Sequence, residues 1–77
     1  MTIAVVDGEL RYKADTADWQ VTLRPYDQPQ EFVIEPIMTG EFTYASGVNL
    51  DNLAQLLVDA KADALQRGLD WTNWGDN

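Results

Sequence analysis

The sequence contains no cysteine and no histidine among its 77 residues. Without cysteine the chain has no disulfides, no thiolate ligands for zinc and no thiol nucleophile. Without histidine it has no imidazole base and no conventional Ser-His-Asp triad. Phosphate-binding motifs of the Gly-x-Gly-x-x-Gly and Gly-Lys-Ser/Thr types are missing as well. These absences predict a protein that is not an enzyme and that has no cofactor and no metal site.

Basic residues are scarce: five Lys and Arg stand against thirteen Asp and Glu, which gives a net charge of -8. The shortage is uneven, because no Lys or Arg occurs between Pro25 and Ala60. Residues 1–24 carry four acids and three bases, whereas residues 25–77 carry nine acids and two bases. A surface of this charge repels free nucleic acid and anionic membranes. We therefore expect a protein partner, and neither direct nucleic-acid binding nor membrane binding.

Long apolar runs are also missing, so the sequence predicts no transmembrane span and no signal peptide. A small domain without disulfides is typical of a reducing compartment, and we expect a cytoplasmic location. An apolar content of 45% nevertheless indicates a folded chain rather than a disordered acidic tail. The length predicts a single domain over residues 1–77 with one modest core.

The first half of the chain alternates apolar and polar residues, as half-buried strands do. Asp7-Gly8 favours a type I′ turn, because both central residues of that turn need positive φ. The resulting hairpin pairs Thr2–Val6 with Glu9–Lys13 and sets Val5 opposite Leu10 and Ile3 opposite Tyr12. Further strands are predicted at Trp19–Arg24, at Glu31–Glu35 and, after a turn at Thr39-Gly40, at Glu41–Ala45. Pro36 predicts that the Glu31–Glu35 strand ends there or lies at an edge of the sheet.

The same alternation assigns a face to each strand residue. Trp19, Val21, Leu23, Phe32 and Ile34 are predicted to point into the core, and Gln20, Thr22 and Arg24 to point to solvent. The fold class predicted is α+β, with about five antiparallel strands packed on one C-terminal amphipathic helix.

The helix is predicted over residues 50–67, with Asn49 as N-cap and Gly68 as the C-terminal stop. Val48 and Leu53 stand at the positions of a hydrophobic staple on either side of Asn49. The apolar stripe predicted to face the sheet consists of Leu50, Leu53, Ala54, Leu57, Ala60, Ala64 and Leu65. The opposite, solvent-facing side consists of Asp51, Asn52, Gln55, Asp59, Asp63 and Gln66.

The tail after the helix carries two tryptophans, Trp71 and Trp74, in a further helical turn capped by Asp70. One interpretation is that they close the open end of a thin core. The other is that they form a hot spot for a partner, because exposed tryptophans dominate many interfaces.

Carboxylates at four-residue spacing predict an acidic strip along the solvent side of the helix. A surface selected only for solubility mixes charges of both signs, and this one lacks counter-charges. We therefore interpret the acidic residues as a partner-binding surface, although many charge runs are only solvated faces. The predicted partner-binding residues are Asp51, Asp59 and Asp63 on the helix, with Glu31, Glu35, Glu41 and Asp27 as flanks. Because crowded carboxylates repel one another, we expect raised carboxyl pKa values and greater stability as the pH falls from 7 toward 5.

In length, charge and plan, with no Cys or His and a base-free segment from Pro25 to Ala60, the chain resembles small acidic phage-encoded inhibitors of bacterial defence. These are the anti-CRISPR and anti-restriction proteins, some of which mimic DNA. The resemblance is one of type and includes no shared motif. It implies a basic nucleic-acid-binding host protein as partner, such as a CRISPR effector subunit, and a host bacterial cytoplasm as the location. CRISPR effectors hold nucleic acid in a positively charged channel, for which a rigid acidic surface can compete.

Two functional hypotheses remain open on the sequence. The first is an inhibitor that occupies a basic nucleic-acid-binding site by charge mimicry. The second is an accessory or structural interaction module that binds through apolar contacts, either at Trp71 and Trp74 or at an exposed strand edge. The sequence leaves open whether the protein is a monomer or a homodimer.

Overall fold

The structure, a computed structural model, describes residues 1–37 and 47–74. Four β-strands come first: β1 (Thr2–Val6), β2 (Glu9–Lys13), β3 (Trp19–Arg24) and β4 (Glu31–Pro36). One long helix, α1 (Gly47–Gln66), and a short 3₁₀ helix, Trp71–Asn73, follow. The α+β fold class is therefore confirmed.

The hairpin of β1 and β2 has the predicted turn and register. Asp7 and Gly8 both have positive φ, at 49° and 81°, as a type I′ turn requires. Val5 lies opposite Leu10, and Ile3 lies opposite Tyr12. Local turn chemistry thus fixes which residues of these two strands share a face.

The sheet is an antiparallel meander in the order β1-β2-β3-β4, so β1 and β4 are its edges. Within the part of the chain that the structure describes, the sheet has four strands instead of the five expected. The segment predicted as the fifth strand, residues 41–45, and the turn at residues 39–40 lie outside the described residues. The strand end predicted at Pro36 is confirmed, because Pro36 is the last residue of β4, and β4 lies at an edge among the strands that the structure describes.

Helix α1 begins earlier than predicted, and the expected N-cap is wrong. Asn49 lies inside the first turn, and its carbonyl accepts a hydrogen bond from the indole Nε1 of Trp19 at 2.9 Å. Val48 is 70% exposed, so it forms no buried staple. A buried indole N–H needs an acceptor. The sheet therefore takes part in fixing this end of the helix, and the local capping pattern could not show that.

The C-terminal end of α1 follows the prediction. Gly68 has φ of 79° and donates its backbone N–H to the carbonyl of Leu65 at 3.0 Å. Leu69 donates to the carbonyl of Ala64 at 2.9 Å. This pair of bonds is a Schellman motif, which uses glycine because the left-handed conformation penalises a Cβ.

The core lies between one face of the sheet and α1. Its buried apolar residues are Leu10, Tyr12, Trp19, Val21, Leu23, Leu56, Ala60 and Ala64. The helix packs on β2 and β3. Thr22 lies on the opposite face of the sheet, as its alternation predicts, but it is buried rather than solvated, because long neighbours such as Gln20 cover it. Gln20 Nε2 donates to Thr22 Oγ1 at 3.2 Å.

Candidate functional site

The sheet face that α1 does not cover, which we call the open face, carries balanced charge. Three bases (Arg11, Lys13 and Arg24) and three acids (Glu9, Glu31 and Glu35) alternate onto it. Glu9 accepts from Arg11 Nη2 at 3.0 Å and from Arg24 Nε at 2.8 Å. Arg24 also bonds Glu31 through Nη1 at 2.8 Å. This row of ion pairs runs across β2, β3 and β4.

The ion pairs change the pKa values of the groups that form them. Hydrogen bonds from Arg24 and then Arg11 hold the pKa of the Glu9 carboxyl below its ordinary value. The hydrogen bond to Glu9, followed by that to Glu31, raises the pKa of the Arg24 guanidinium. Carboxylates and guanidinium groups on the open face therefore satisfy one another.

The net negative charge of the described residues lies away from the open face. On the helix, its C-terminal extension and the loops, eight acids stand against two bases, Lys61 and Arg67. The acids are Asp7, Asp15, Asp18, Asp27, Asp51, Asp59, Asp63 and Asp70. The fold thus leaves the open face neutral and places the net negative charge on the helix, its C-terminal extension and the loops. The uneven distribution of charge along the sequence indicates this separation only roughly.

The prediction of which helix residues point to solvent is wrong in part. Asp63 was expected on the solvent side, yet it is half-buried and accepts a hydrogen bond from Tyr12 Oη on β2 at 2.7 Å. Arg67 Nε also donates to Asp63 at 2.7 Å. Asp59 is half-buried and accepts from Gln55 Nε2 at 3.0 Å. Asp51 is exposed, as predicted.

The reason is the identity of the residues at the centre of the interface. Leu56, Ala60 and Ala64 are the buried helix residues, and the small alanines let α1 approach the sheet closely. Asp63 lies only about 20° around the helix from Leu56. The buried Tyr12 hydroxyl needs a partner, and Asp63 supplies it. By contrast Leu50 and Leu65, predicted to face the sheet, are each 50% exposed, and Ala54 is exposed too.

The environment of Asp63 sets the pKa of both partners. Burial by itself raises the pKa of the Asp63 carboxyl, but the hydrogen bonds from Arg67 and Tyr12 outweigh it, and the pKa lies below its usual range. Burial, followed by the hydrogen bond to Asp63, raises the pKa of the Tyr12 hydroxyl. Asp63 is therefore a fixed, ionised group at neutral pH.

Asp15 and Asp18, in the first third of the chain, join the helix carboxylates in space. Asn52 Nδ2 donates to Asp18 at 2.7 Å, and Asp15 accepts from the amino group of Met1. A cavity of about 160 Å³ is lined by Asp15, Asp59 and neighbouring residues. We call Asp15, Asp18, Asp51, Asp59 and Asp63 the helix-side acidic surface.

The other predicted flanking residues do not join this surface. Glu31 and Glu35 are exposed but lie on the open face, beneath the sheet as seen from the helix. Asp27 is exposed in the loop between β3 and β4. Glu41 lies outside the described residues. The seven predicted residues therefore do not form one continuous surface.

A groove that the sequence pattern did not predict lies beside β1, and we call it the β1 groove. Its floor is formed by Ile3 and Val5, which are 37% and 65% exposed because α1 packs on β2 and β3. Its wall is a flank of α1, on which Asp59 lines one cavity with Met1 and Arg67 lines another with Val5. Asp63 lies between them on the helix and bonds Arg67 and Tyr12, the residue of β2 opposite Ile3. The 160 Å³ cavity opens at one end, and a cavity of about 170 Å³, lined by Val5, Arg67 and others, opens at the opposite end. The alternation of β1 gave the correct face but not the position of the helix over it.

The tryptophan tail packs onto the core. Trp71 and Trp74 are half-buried against it, and the rings of Trp71 and Phe32 lie 4.8 Å apart between centroids. Asp70 caps this turn by accepting from the backbone N–H of Thr72 at 3.0 Å. The interpretation that the tail closes an end of the core is confirmed.

No group of three or more acidic side chains among residues 1–37 and 47–74 is arranged to hold a metal ion. Over the same ranges, no helix combines the length and the apolar character needed to cross a membrane. Comparisons of the chain with protein-family models, with curated proteins and with solved structures gave no match.

Proposed function

We propose that this chain is a non-enzymatic binding protein whose helix-side acidic surface docks on a basic protein surface that nucleic acid otherwise occupies. The observation that carries the proposal is the separation of charge. Acids and bases balance on the open face, and the net negative charge lies with α1 and the loops. Charge of one sign on one side steers association with an oppositely charged partner.

Fixed geometry supports the same proposal. Asp63 is held by Tyr12 and Arg67, and Asp18 is held by Asn52. A carboxylate that is already oriented loses less side-chain entropy on binding than a free one. Such a surface offers a partner a rigid pattern of negative charge, which is what a competitor for a phosphate backbone needs.

The test compares two substitutions with equal charge change. Asp59→Lys acts on the helix-side acidic surface, and Glu35→Lys acts on the open face, at an exposed position. In affinity capture from a bacterial lysate at low salt, followed by mass spectrometry, the unchanged chain should retain a basic nucleic-acid-binding protein. Asp59→Lys should weaken that retention about tenfold or more, because reversal replaces attraction by repulsion. Glu35→Lys should change it little.

Added duplex DNA should displace the captured partner if both occupy one site. Capture that survives excess DNA, or equal effects of Asp59→Lys and Glu35→Lys, would contradict the proposal. Circular dichroism of both variants verifies that neither substitution unfolds the chain.

The second candidate function, an interaction module that binds through apolar contacts, is favoured by one observation. Ile3 and Val5 are exposed on a sheet edge. Salt separates the two candidates, because it screens charge and leaves apolar contact in place.

A further inference from the structure

Strand β1 presents unpaired backbone groups to its outer side. It pairs only with β2 among the strands that the structure describes. Val6 and Glu9 flank a two-residue turn, so they form a hydrogen-bonded pair, and the pairs alternate from there. Ile3 and Val5 therefore fall at non-hydrogen-bonded positions. Their N–H and C=O groups point away from β2, toward the free edge.

Strand β1 itself lacks the residues that usually protect a sheet edge against pairing. The sequence of β1, Thr-Ile-Ala-Val-Val, has no charge and no proline. The opposite edge, β4, carries Glu31, Glu35 and Pro36. Natural sheets block unwanted edge pairing with charges, prolines or bulges. One edge of this sheet is thus closed to an added strand, and the other is open to one.

The side chains next to the open edge specify what kind of strand fits. An added strand would set every second side chain beside Ile3 and Val5, on the floor of the β1 groove. Asp59 and Asp63 stand along the wall of that groove, and Arg67, which pairs with Asp63, stands at its Val5 end. Asp59 is therefore the carboxylate of the wall that has no ion pair among the described residues. Lysine and arginine match both features, because their stems cover apolar surface while their charged ends reach carboxylates.

We propose that β1 binds an extended segment of the partner by strand addition, with Lys or Arg at alternate positions facing the β1 groove. This inference rests on the proposed function for the basic character of the partner, and it adds the mode of binding. Main-chain hydrogen bonds to Ile3 and Val5 give affinity, and alternate basic side chains give specificity.

A second copy of the chain is a poorer occupant of the same edge. Pairing β1 with β1 of another copy about a twofold axis would bring two acidic helix flanks to the same side of one sheet. Each copy carries a net charge of -8, and its β1 supplies no base. Like charges across an interface oppose association.

The experiment uses an isotope-labelled full chain and a synthetic peptide, acetyl-Thr-Lys-Val-Lys-Val-Lys-Thr-amide. The control peptide has the same composition with its lysines consecutive. With the alternating peptide at saturation, amide hydrogen exchange at Ile3 and Val5 should slow about tenfold or more. Exchange at Ala4, which already bonds β2, should change little. The control peptide should bind about fivefold or more weakly, because its lysines cannot all face the groove.

Backbone variants test the same point. Val5→Pro removes an edge N–H that β2 does not use, and proline is tolerated at such positions. It should weaken peptide binding about tenfold, whereas Val5→Ala, which keeps the N–H, should weaken it less. If Val5→Pro alters the circular dichroism spectrum, N-methylation of Val5 in a chemically synthesised chain replaces it.

Three results would overturn the inference. Unchanged exchange at Ile3 and Val5 with peptide bound would show docking without strand addition and would leave the proposed function intact. Equal binding of the two peptides would exclude recognition of the alternating pattern. If sedimentation shows a dimer in the absence of peptide, and hydrogen exchange shows Ile3 and Val5 protected in it, the edge belongs to a second copy. Failure of the Asp59→Lys comparison, by contrast, would remove the proposed function itself.

Discussion

Asp63 shows how one side chain can be misassigned from a correct pattern. It lies on the polar side of the helix by periodicity, yet Tyr12 and Arg67 hold it against the sheet. Reversing its charge would break two hydrogen bonds of a half-buried group. Asp63→Lys is therefore expected to destabilise the fold, contrary to the expectation that this residue is a free solvent-facing acid. Asp15 and Asp18 in turn belong to the helix-side acidic surface, although they come from the nearly neutral first third of the sequence.

The hydrogen bond between Tyr12 and Asp63 gives a first stability prediction. Tyr12→Phe removes the donor and keeps the buried ring, and it should lower the free energy of unfolding by about 1–3 kcal/mol. Denaturation by urea measures the change. Tyr26→Phe is the matched control, because Tyr26 is 76% exposed and its loss of a hydroxyl should have an effect under about 0.5 kcal/mol. Equal effects would show that the bond to Asp63 does not stabilise the fold.

The pH dependence is expected to have the opposite sign from the one inferred from crowded carboxylates. The pKa values of Glu9, Asp63 and Asp70 all lie below their ordinary values of 4.5, 3.8 and 3.8. Hydrogen bonds from Arg24 and Arg11 hold Glu9 ionised, and those from Thr72 hold Asp70 ionised. At Asp63, burial raises the pKa, but the hydrogen bonds from Arg67 and Tyr12 outweigh it. The unfolded chain then binds protons first as the pH falls. Their stabilising contribution is complete above about pH 5 and is lost as the pH drops through the lowered pKa values.

Melting curves between pH 7 and pH 3 test this sign. The melting temperature should change little from pH 7 to 5 and should fall below about pH 4.5. A steady rise in stability from pH 7 to 5 would instead support repulsion among the carboxylates. At alkaline pH the raised pKa of Tyr12 predicts a loss of stability that starts above its ordinary value of 10.0, where the unfolded chain ionises first.

At the scale of elements, α1 is the clearest case of a correct helix with a misplaced face. The sequence indicates a helix strongly, and its glycine stop at Gly68 is confirmed. The buried face, however, centres on Leu56, Ala60 and Ala64 rather than on Leu57 and Leu50. Leucines and alanines surround much of this helix, so periodicity alone permits several rotations.

The rotation of α1 predicts contrasting effects of truncation. Leu56 is 2% exposed, so Leu56→Ala should lower the free energy of unfolding by about 2–5 kcal/mol through lost burial and a cavity. Val58, two residues later, is 65% exposed, and Val58→Ala should change it by under about 0.5 kcal/mol. Chemical denaturation of both variants checks the assignment. A larger effect at Val58 would contradict the observed rotation of α1.

At the scale of the whole molecule, charge is divided between two sides that serve different purposes. Ion pairs of Glu9, Arg24 and Glu31 tie neighbouring strands together on the open face. On the helix side Asp63 pairs with Arg67 and Asp15 with the amino group of Met1, while Asp18, Asp51 and Asp59 have no ion pair among the described residues. Exposed ion pairs contribute little to stability, so the separation of charge matters more for association than for folding.

Salt is expected to separate the two candidate functions. If the helix-side acidic surface drives binding, affinity for the captured partner should fall steeply between about 50 and 500 mM salt, because screening shortens the reach of charge. Binding carried by apolar contact at Ile3 and Val5 should persist. Titration of partner and chain by calorimetry at each salt concentration measures this. Affinity independent of salt would favour the interaction module over the charge mimic.

The sequence by itself determined the features that depend on neighbours along the chain. Asp7-Gly8 fixed the first hairpin and its register, alternation fixed the faces of β3 and β4, and Gly68 ended the helix. Each follows from backbone sterics or from the two-residue repeat of a strand, which act over a few residues. The acidity of the chain is likewise a property of composition.

Only the tertiary structure decided where these elements meet. The rotation of α1 depends on how the alanines fit against the sheet and on the partner that Tyr12 needs across 51 positions of the chain. The exposure of β1 depends on a helix that packs mainly on β2 and β3. Alternative contacts between distant residues compete with one another during packing. A periodic pattern predicts which face is buried only where a single face of the element is clearly apolar.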